Sequence, residues 1–295
     1  MNKSLRTAVT ATTCLLLAAC ASSNQTPNGG QSHFASFGMN KVHYVIEGQG
    51  SHTIVLVHCW GGNSGFWREQ VPALAGHARL ILIDLPGHGQ SDKPHTEYTM
   101  DFFAKAVLAV MRKACPDKAT LVGHSMGVPI ICRVYAQAPE NVAALVAVDG
   151  TLRRPQMTPE QAERFLAPFR TPEYREHTAR FLASMFPTPG TESLRDRVLS
   201  EILATPQYVL LGTMEGMFGA GQPDWALKNV KVPLLVINAK NPMWTPEYEA
   251  YVRSLSPQTD YRVLDGAGHW LMLEKPAEFN AALTDMLRKF DLIGK

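Results

Sequence analysis

The 295-residue chain is 45% hydrophobic and 18% charged, with 22 Gly and 20 Pro, enough to bury the core of one large domain or two small ones. That balance excludes a disordered or fibrous protein. The formal charge is +2, and setting aside Lys3 and Arg6 of residues 1–19 leaves 26 basic against 26 acidic residues, so no nucleic-acid footprint is present. Five cysteines are too few and too scattered for a disulfide scaffold, and none stands at metal-ligand spacing with histidines.

In chain order, Lys3 and Arg6 precede an apolar and small-residue run over 8–19, too short to span a bilayer and laid out as a secretory signal peptide. Its end, Leu17-Ala18-Ala19-Cys20, resembles the lipobox of bacterial lipoproteins, which implies cleavage before Cys20 and acylation of its thiol. Two acyl chains at about 0.8 kcal/mol per buried methylene hold a soluble domain on a membrane. Ala21 rather than Asp after the cysteine resembles sorting to the outer membrane of Gram-negative bacteria, facing the periplasm. Residues 20–33 are small and polar and read as a flexible tether.

From residue 42, short β-branched runs alternate with helical stretches, the pattern of an α/β protein with a mostly parallel sheet and helices on both faces. Strands are predicted at 42–47, 53–58, 79–84, 119–123, 142–149, 232–239 and 261–264. Helices are predicted at 66–75, 99–113, 126–138, 246–255 and 276–288. Residues 152–222 break the rhythm with helical stretches started by Pro159, Pro172 and Pro206 and with no strand, so they read as an inserted helical lid between core segments 34–151 and 223–295. The lid's Phe165, Phe169, Phe181, Met185, Phe186, Met214, Met217 and Phe218 suit a helix core or a substrate pocket equally.

Gly123-His124-Ser125-Met126-Gly127 stands between a predicted strand and a predicted helix, the setting of a strained turn that exposes a serine and leaves room only for glycine two positions either side. With that motif, His58-Cys59-Trp60-Gly61-Gly62, Asp84-Leu85-Pro86-Gly87-His88-Gly89-Gln90-Ser91, and Gly266-Ala267-Gly268-His269-Trp270 resemble the loops of the α/β-hydrolase fold superfamily over nearly all of residues 40–290. The resemblance implies an α/β-hydrolase fold and a serine hydrolase, most simply a carboxylic ester hydrolase. Ser125 is the implied nucleophile and His269 the base that takes its proton. The backbone N–H groups of Trp60 and Met126 are the implied oxyanion donors, although Cys59 stands where the family usually has Gly.

The triad acid departs from the family's commonest form, because Asn241 occupies the usual Asp position and an amide cannot balance an imidazolium. Some members carry the acid one strand earlier, where this chain has Asp149; Asp265 and Glu247 are alternatives. Among rival histidines, His58, His88 and His124 read as loop-holding or site-lining, and His33 and His177 as exposed groups of tether and lid. Cys59 reads as a small buried side chain rather than a nucleophile.

The expected activity is cleavage of an ester-like bond in a small, partly apolar substrate through a Ser125 acyl-enzyme, by a membrane-anchored protein that needs no cofactor and no metal. A serine nucleophile excludes the halide and epoxide chemistry that requires a carboxylate. Esters, lactones, thioesters, some amides and carbon–carbon bonds stay open, as does oligomeric state. Two other readings use the same scaffold: a perhydrolase of the cofactor-free haloperoxidase type, and a binding lipoprotein that has lost catalysis.

Overall fold

Predominantly apolar runs with no polar face can only be central strands covered on both sides. The computed structural model describes residues 30–219, 222 and 225–294, so the predicted signal sequence, Cys20 and most of the predicted tether lie outside the described residues. Its strands are β1 Gln31–Phe37, β2 Asn40–Glu47, β3 Thr53–Val57, β4 Arg79–Ile83, β5 Ala119–His124, β6 Val142–Val148, β7 Leu234–Ala239 and β8 Thr259–Leu264. They form one sheet in the order β1-β2-β4-β3-β5-β6-β7-β8. Every residue of β3, β5 and β7 is buried. β2 runs against both of its neighbours, and all pairs from β4 to β8 are parallel.

The helices are α1 Val71–Leu74, α2 Met100–Ala114, α3 Gly127–Gln137, α4 Pro159–Leu166, α5 Tyr174–Ala183, α6 Glu192–Leu203, α7 Gln207–Phe218, α8 Pro246–Leu255, α9 Leu271–Glu274 and α10 Pro276–Lys289. Side-chain caps start several of them: Thr99 accepts from Phe102 N–H for α2, Thr158 forms a capping box with Gln161 for α4, and Thr245 accepts from Tyr248 N–H for α8. Four helices, α4 to α7, stand between β6 and β7, where the sequence breaks its strand–helix rhythm.

Three details differ from expectation. β1 takes in residues 31–33, read as tether, because the β2 edge offers them a full antiparallel ladder from Gln31↔Ile46 to Phe37↔Asn40. His33 accordingly stacks on Tyr44 with ring centroids 5.4 Å apart rather than lying free. The helix expected at 66–75 is broken into a short 3₁₀ turn, Ser64–Trp67, capped by Asn63, and the single turn α1.

The chain reversal after β4 is fixed by a buried carboxylate. Asp84 accepts from Ser64 N–H at 2.6 Å, Gln90 N–H at 2.8 Å and His43 Nδ1 at 2.9 Å. Burial alone would raise its pKa, but His43, the two backbone donors and the nearby His58 outweigh it and hold the group at about 2. One anion thereby ties β2 to the loops after β3 and β4, which border the carboxyl ends of the parallel strands.

Candidate active site

β5 delivers Ser125 into the tight turn that begins α3, with φ +54°, a left-handed conformation that costs a non-glycine residue on the order of 1–2 kcal/mol. The turn is closed by Ser125 N–H to Val148 C=O at 2.9 Å and Val128 N–H to Ser125 C=O at 2.9 Å. A Cβ on Gly123 would overlap the carbonyl oxygen of Gly127, and one on Gly127 would overlap that of Val57, so both flanking positions admit only glycine.

Asp149 follows β6 directly, also at positive φ (+41°). Its Oδ2 accepts from His269 Nδ1 at 2.6 Å, and its Oδ1 accepts from Ala239 N–H at 2.9 Å and Trp244 Nε1–H at 3.1 Å. The carboxylate is buried at 8% exposure and takes three donors. A proton on Nδ1 leaves the Nε2 lone pair of neutral His269 as the basic position. His269 is brought to the elbow by its main chain: His124 Nε2–H donates to His269 C=O at 2.8 Å, and the two rings lie 4.8 Å apart. Among the described residues neither Ser125 Oγ nor His269 Nε2 carries a hydrogen bond.

The N–H groups of Trp60 and Met126 have no acceptor among the described residues, although the residues are only 5% and 1% exposed. Buried backbone donors are almost always paired. Two unpaired ones, one of them at the start of α3, are open to an acceptor from outside the described residues.

The chain matches the family model of the alpha/beta hydrolase fold over residues 52–276. It belongs to the α/β-hydrolase family. A curated relative from Citrobacter koseri, a pimeloyl-[acyl-carrier protein] methyl ester esterase, is 31% identical over 263 residues, covering 85% of this chain and 100% of the relative. Among solved structures, Est816, described as an N-acyl homoserine lactone degrading enzyme, superposes with TM-score 0.72 at 26% identity, covering 86% of this chain and 99% of its own. A bromoperoxidase from Bacillus anthracis shares the fold with TM-score 0.77 at 21% identity over 88% of this chain and 100% of its own. The chain is an α/β-fold hydrolase.

The remaining sequence candidates for the acid make no hydrogen bond to His269 among the described residues. Asn241 is exposed and spends its Oδ1 on Met243 N–H at 2.9 Å, closing its own turn. Asp265 is exposed and paired with Lys240 at 3.0 Å, and Glu247 sits in the first turn of α8. Cys59 is buried, its thiol pushed up by burial to about 12, which removes it as a nucleophile at neutral pH. Its φ is not left-handed, and Gly61 (φ +65°) takes the turn's one such conformation, so losing glycine at 59 leaves the Trp60 donor in place. All three described cysteines are free.

His58 is fully buried, donating from Nδ1 to Cys59 C=O at 2.7 Å and accepting Leu85 N–H on Nε2 at 3.0 Å, so it holds two loops together. His88 donates to Pro86 C=O at 3.0 Å, and burial pushes its pKa down to about 3. His177, expected exposed, is half-buried with its ring against Phe169 at 4.5 Å. The inserted helices seat directly on the site. Phe169 and Phe181 pack edge-on around Trp60, Phe186 stacks on Trp270 at 4.6 Å, and His269 N–H donates to Met185 C=O at 3.1 Å. Phe169, Met214 and Met217 are core, whereas Phe181, Met185 and Phe186 face the core loops that hold Trp60 and His269. Trp244 had no sequence signal: a single indole in a loop is silent until its partner is known.

Proposed function

We propose that this chain is a serine hydrolase that cleaves esters or lactones of small, partly apolar substrates through an acyl-enzyme at Ser125. The observation that carries the reading is the 2.6 Å Asp149–His269 contact beside a left-handed serine and two unpaired backbone donors. Ser125 Oγ attacks the carbonyl carbon while His269 Nε2 takes its proton; Asp149 stabilises the imidazolium. The N–H groups of Trp60 and Met126 receive the developing oxyanion. His269 returns the proton to the leaving alcohol, and water, deprotonated by the same nitrogen, releases the acid. The names of the relatives above, a methyl ester esterase and a lactone-degrading enzyme, support the bond class.

A fluorophosphonate probe tests this: wild type should be labelled and Ser125→Ala should not, with ester hydrolysis lost in parallel. Absence of labelling of folded wild type would remove the nucleophile.

The same reading includes a membrane anchor at Cys20 in the cell envelope, supported by the lipobox-like segment before it. No helix of the described residues is long and apolar enough to cross a membrane. Cys20→Ser should move the protein from the membrane to the soluble fraction; retention with membranes would refute the anchor.

A further inference from the structure

The loop after β7 is where most of the family's resemblance places the acid, and here it carries Asn241 instead. Its geometry gives it another task. Asn241 Oδ1 accepts Met243 N–H and Asn241 C=O accepts Trp244 N–H at 3.0 Å, so the two bonds fold residues 241–244 into a turn that brings the Trp244 indole to Asp149. Thr245 then caps α8, and Trp244 packs on Tyr248 with ring centroids 5.1 Å apart. The Tyr248 hydroxyl accepts from Leu152 N–H at 2.9 Å, three residues past Asp149. The turn and the acid's own loop are therefore locked to each other.

We infer that Trp244 is a positioning residue that sets the basicity of His269 by sharing the charge of Asp149. A carboxylate has a fixed negative charge to distribute among its donors, and each N–H that draws on it weakens its hold on the others. On Asp149 the donors are Ala239 N–H, Trp244 Nε1–H and His269 Nδ1–H. The backbone donor cannot be withdrawn by a side-chain change, but the indole can. Removing it concentrates charge on Oδ2, stabilises the imidazolium and makes Nε2 more basic. The base would then stay protonated to higher pH, and the acid limb of activity would move up.

Other groups around the pair stay fixed in this comparison. His124 of β5 faces His269, Tyr261 of β8 bonds Asn238 Nδ2 at 3.1 Å, and the exposed Lys240–Asp265 pair joins the ends of β7 and β8. Tyr248 of α8 lies on the Trp244 ring. None contributes a fourth donor to Asp149 among the described residues.

The inference rests on the serine-hydrolase reading, and one experiment separates the two. The second-order rate of fluorophosphonate labelling is measured against pH for wild type, Trp244→Phe and Trp244→Leu, with thermal midpoints alongside. Both variants delete the indole donor, and Phe keeps an aromatic ring beside Tyr248. The expected result is an acid limb raised by about half a pH unit in both variants, with the alkaline plateau changed less than fivefold. A limb that stays in place or moves down, in variants with a wild-type midpoint or a lowered one, overturns the role of Trp244, since lost packing alone changes stability and plateau but not the titration. A wild type that is not labelled at any pH overturns the hydrolase reading instead.

Discussion

Four described non-glycine residues have positive φ, and two of them are Ser125 and Asp149. Asp149, Asn229 and Asp291 are of types that tolerate the left-handed region, so the conformational cost falls chiefly on Ser125. Strain of this kind persists only where surrounding structure over-determines it. Here the surroundings are the adjacent ends of β5, β6 and β7, since Ser125 N–H bonds Val148 of β6 and Asp149 N–H bonds Ile237 of β7, each at 2.9 Å. The side chain of Asp149 is as constrained as its backbone. In Asp149→Asn, the amide oxygen remains the acceptor for Ala239 N–H and the Trp244 indole, which turns the NH₂ group toward His269 Nδ1. His269 must then carry its proton on Nε2, the wrong tautomer for accepting one from Ser125. Ester turnover should fall about a thousandfold or more with the thermal midpoint within a few degrees of wild type. Near-normal turnover would remove Asp149 from the relay.

At the scale of elements, the parts of the sheet that were legible are those whose residues have no alternative. Val55, Leu56 and Val57, or Leu145, Val146, Ala147 and Val148, are apolar on both faces and can be buried only in a covered parallel sheet. Asp149 was legible because it ends such a run, and Asn241 because it stands in a recognisable loop without the expected charge. β1 was not legible: Gln31–Phe37 is half-exposed and buries one residue, Ala35, so its strand character comes from the β2 ladder rather than its own pattern. The Phe66–Trp67 region looked helical by its apolar content, yet Asn63 caps a single 3₁₀ turn and Pro72 opens a new one. The seating of the inserted helices was illegible for a different reason. Gly216 admits no Cβ because of the Tyr98 carbonyl, and Gly61 none because of Ile202 and Leu210, contacts between segments more than a hundred residues apart.

For the whole molecule, the pattern of buried histidines determines how it meets acid. His58, His88 and His124 are each fully buried and each has its pKa lowered chiefly by that burial, His88 to about 3. Their rings are committed to main-chain carbonyls of Cys59, Pro86 and His269, which brace the loops carrying the candidate oxyanion donor and base. In the unfolded chain each titrates near 6.5, so below that pH the unfolded state binds protons that the folded state refuses. Each group then costs about 1.4 kcal/mol of stability per pH unit until its folded pKa is reached. Asp84 adds nothing in that range. Its depressed pKa contributes stability that is complete above about 4 and is lost only as pH falls toward 2. The denaturant midpoint should therefore begin to fall just below pH 6.5, well before any carboxylate titrates, and His88→Phe or His124→Phe should flatten that decline even where it lowers the midpoint at pH 8. A midpoint constant down to pH 4.5 would mean that these rings take up protons in the folded protein and that the loops they brace yield without unfolding.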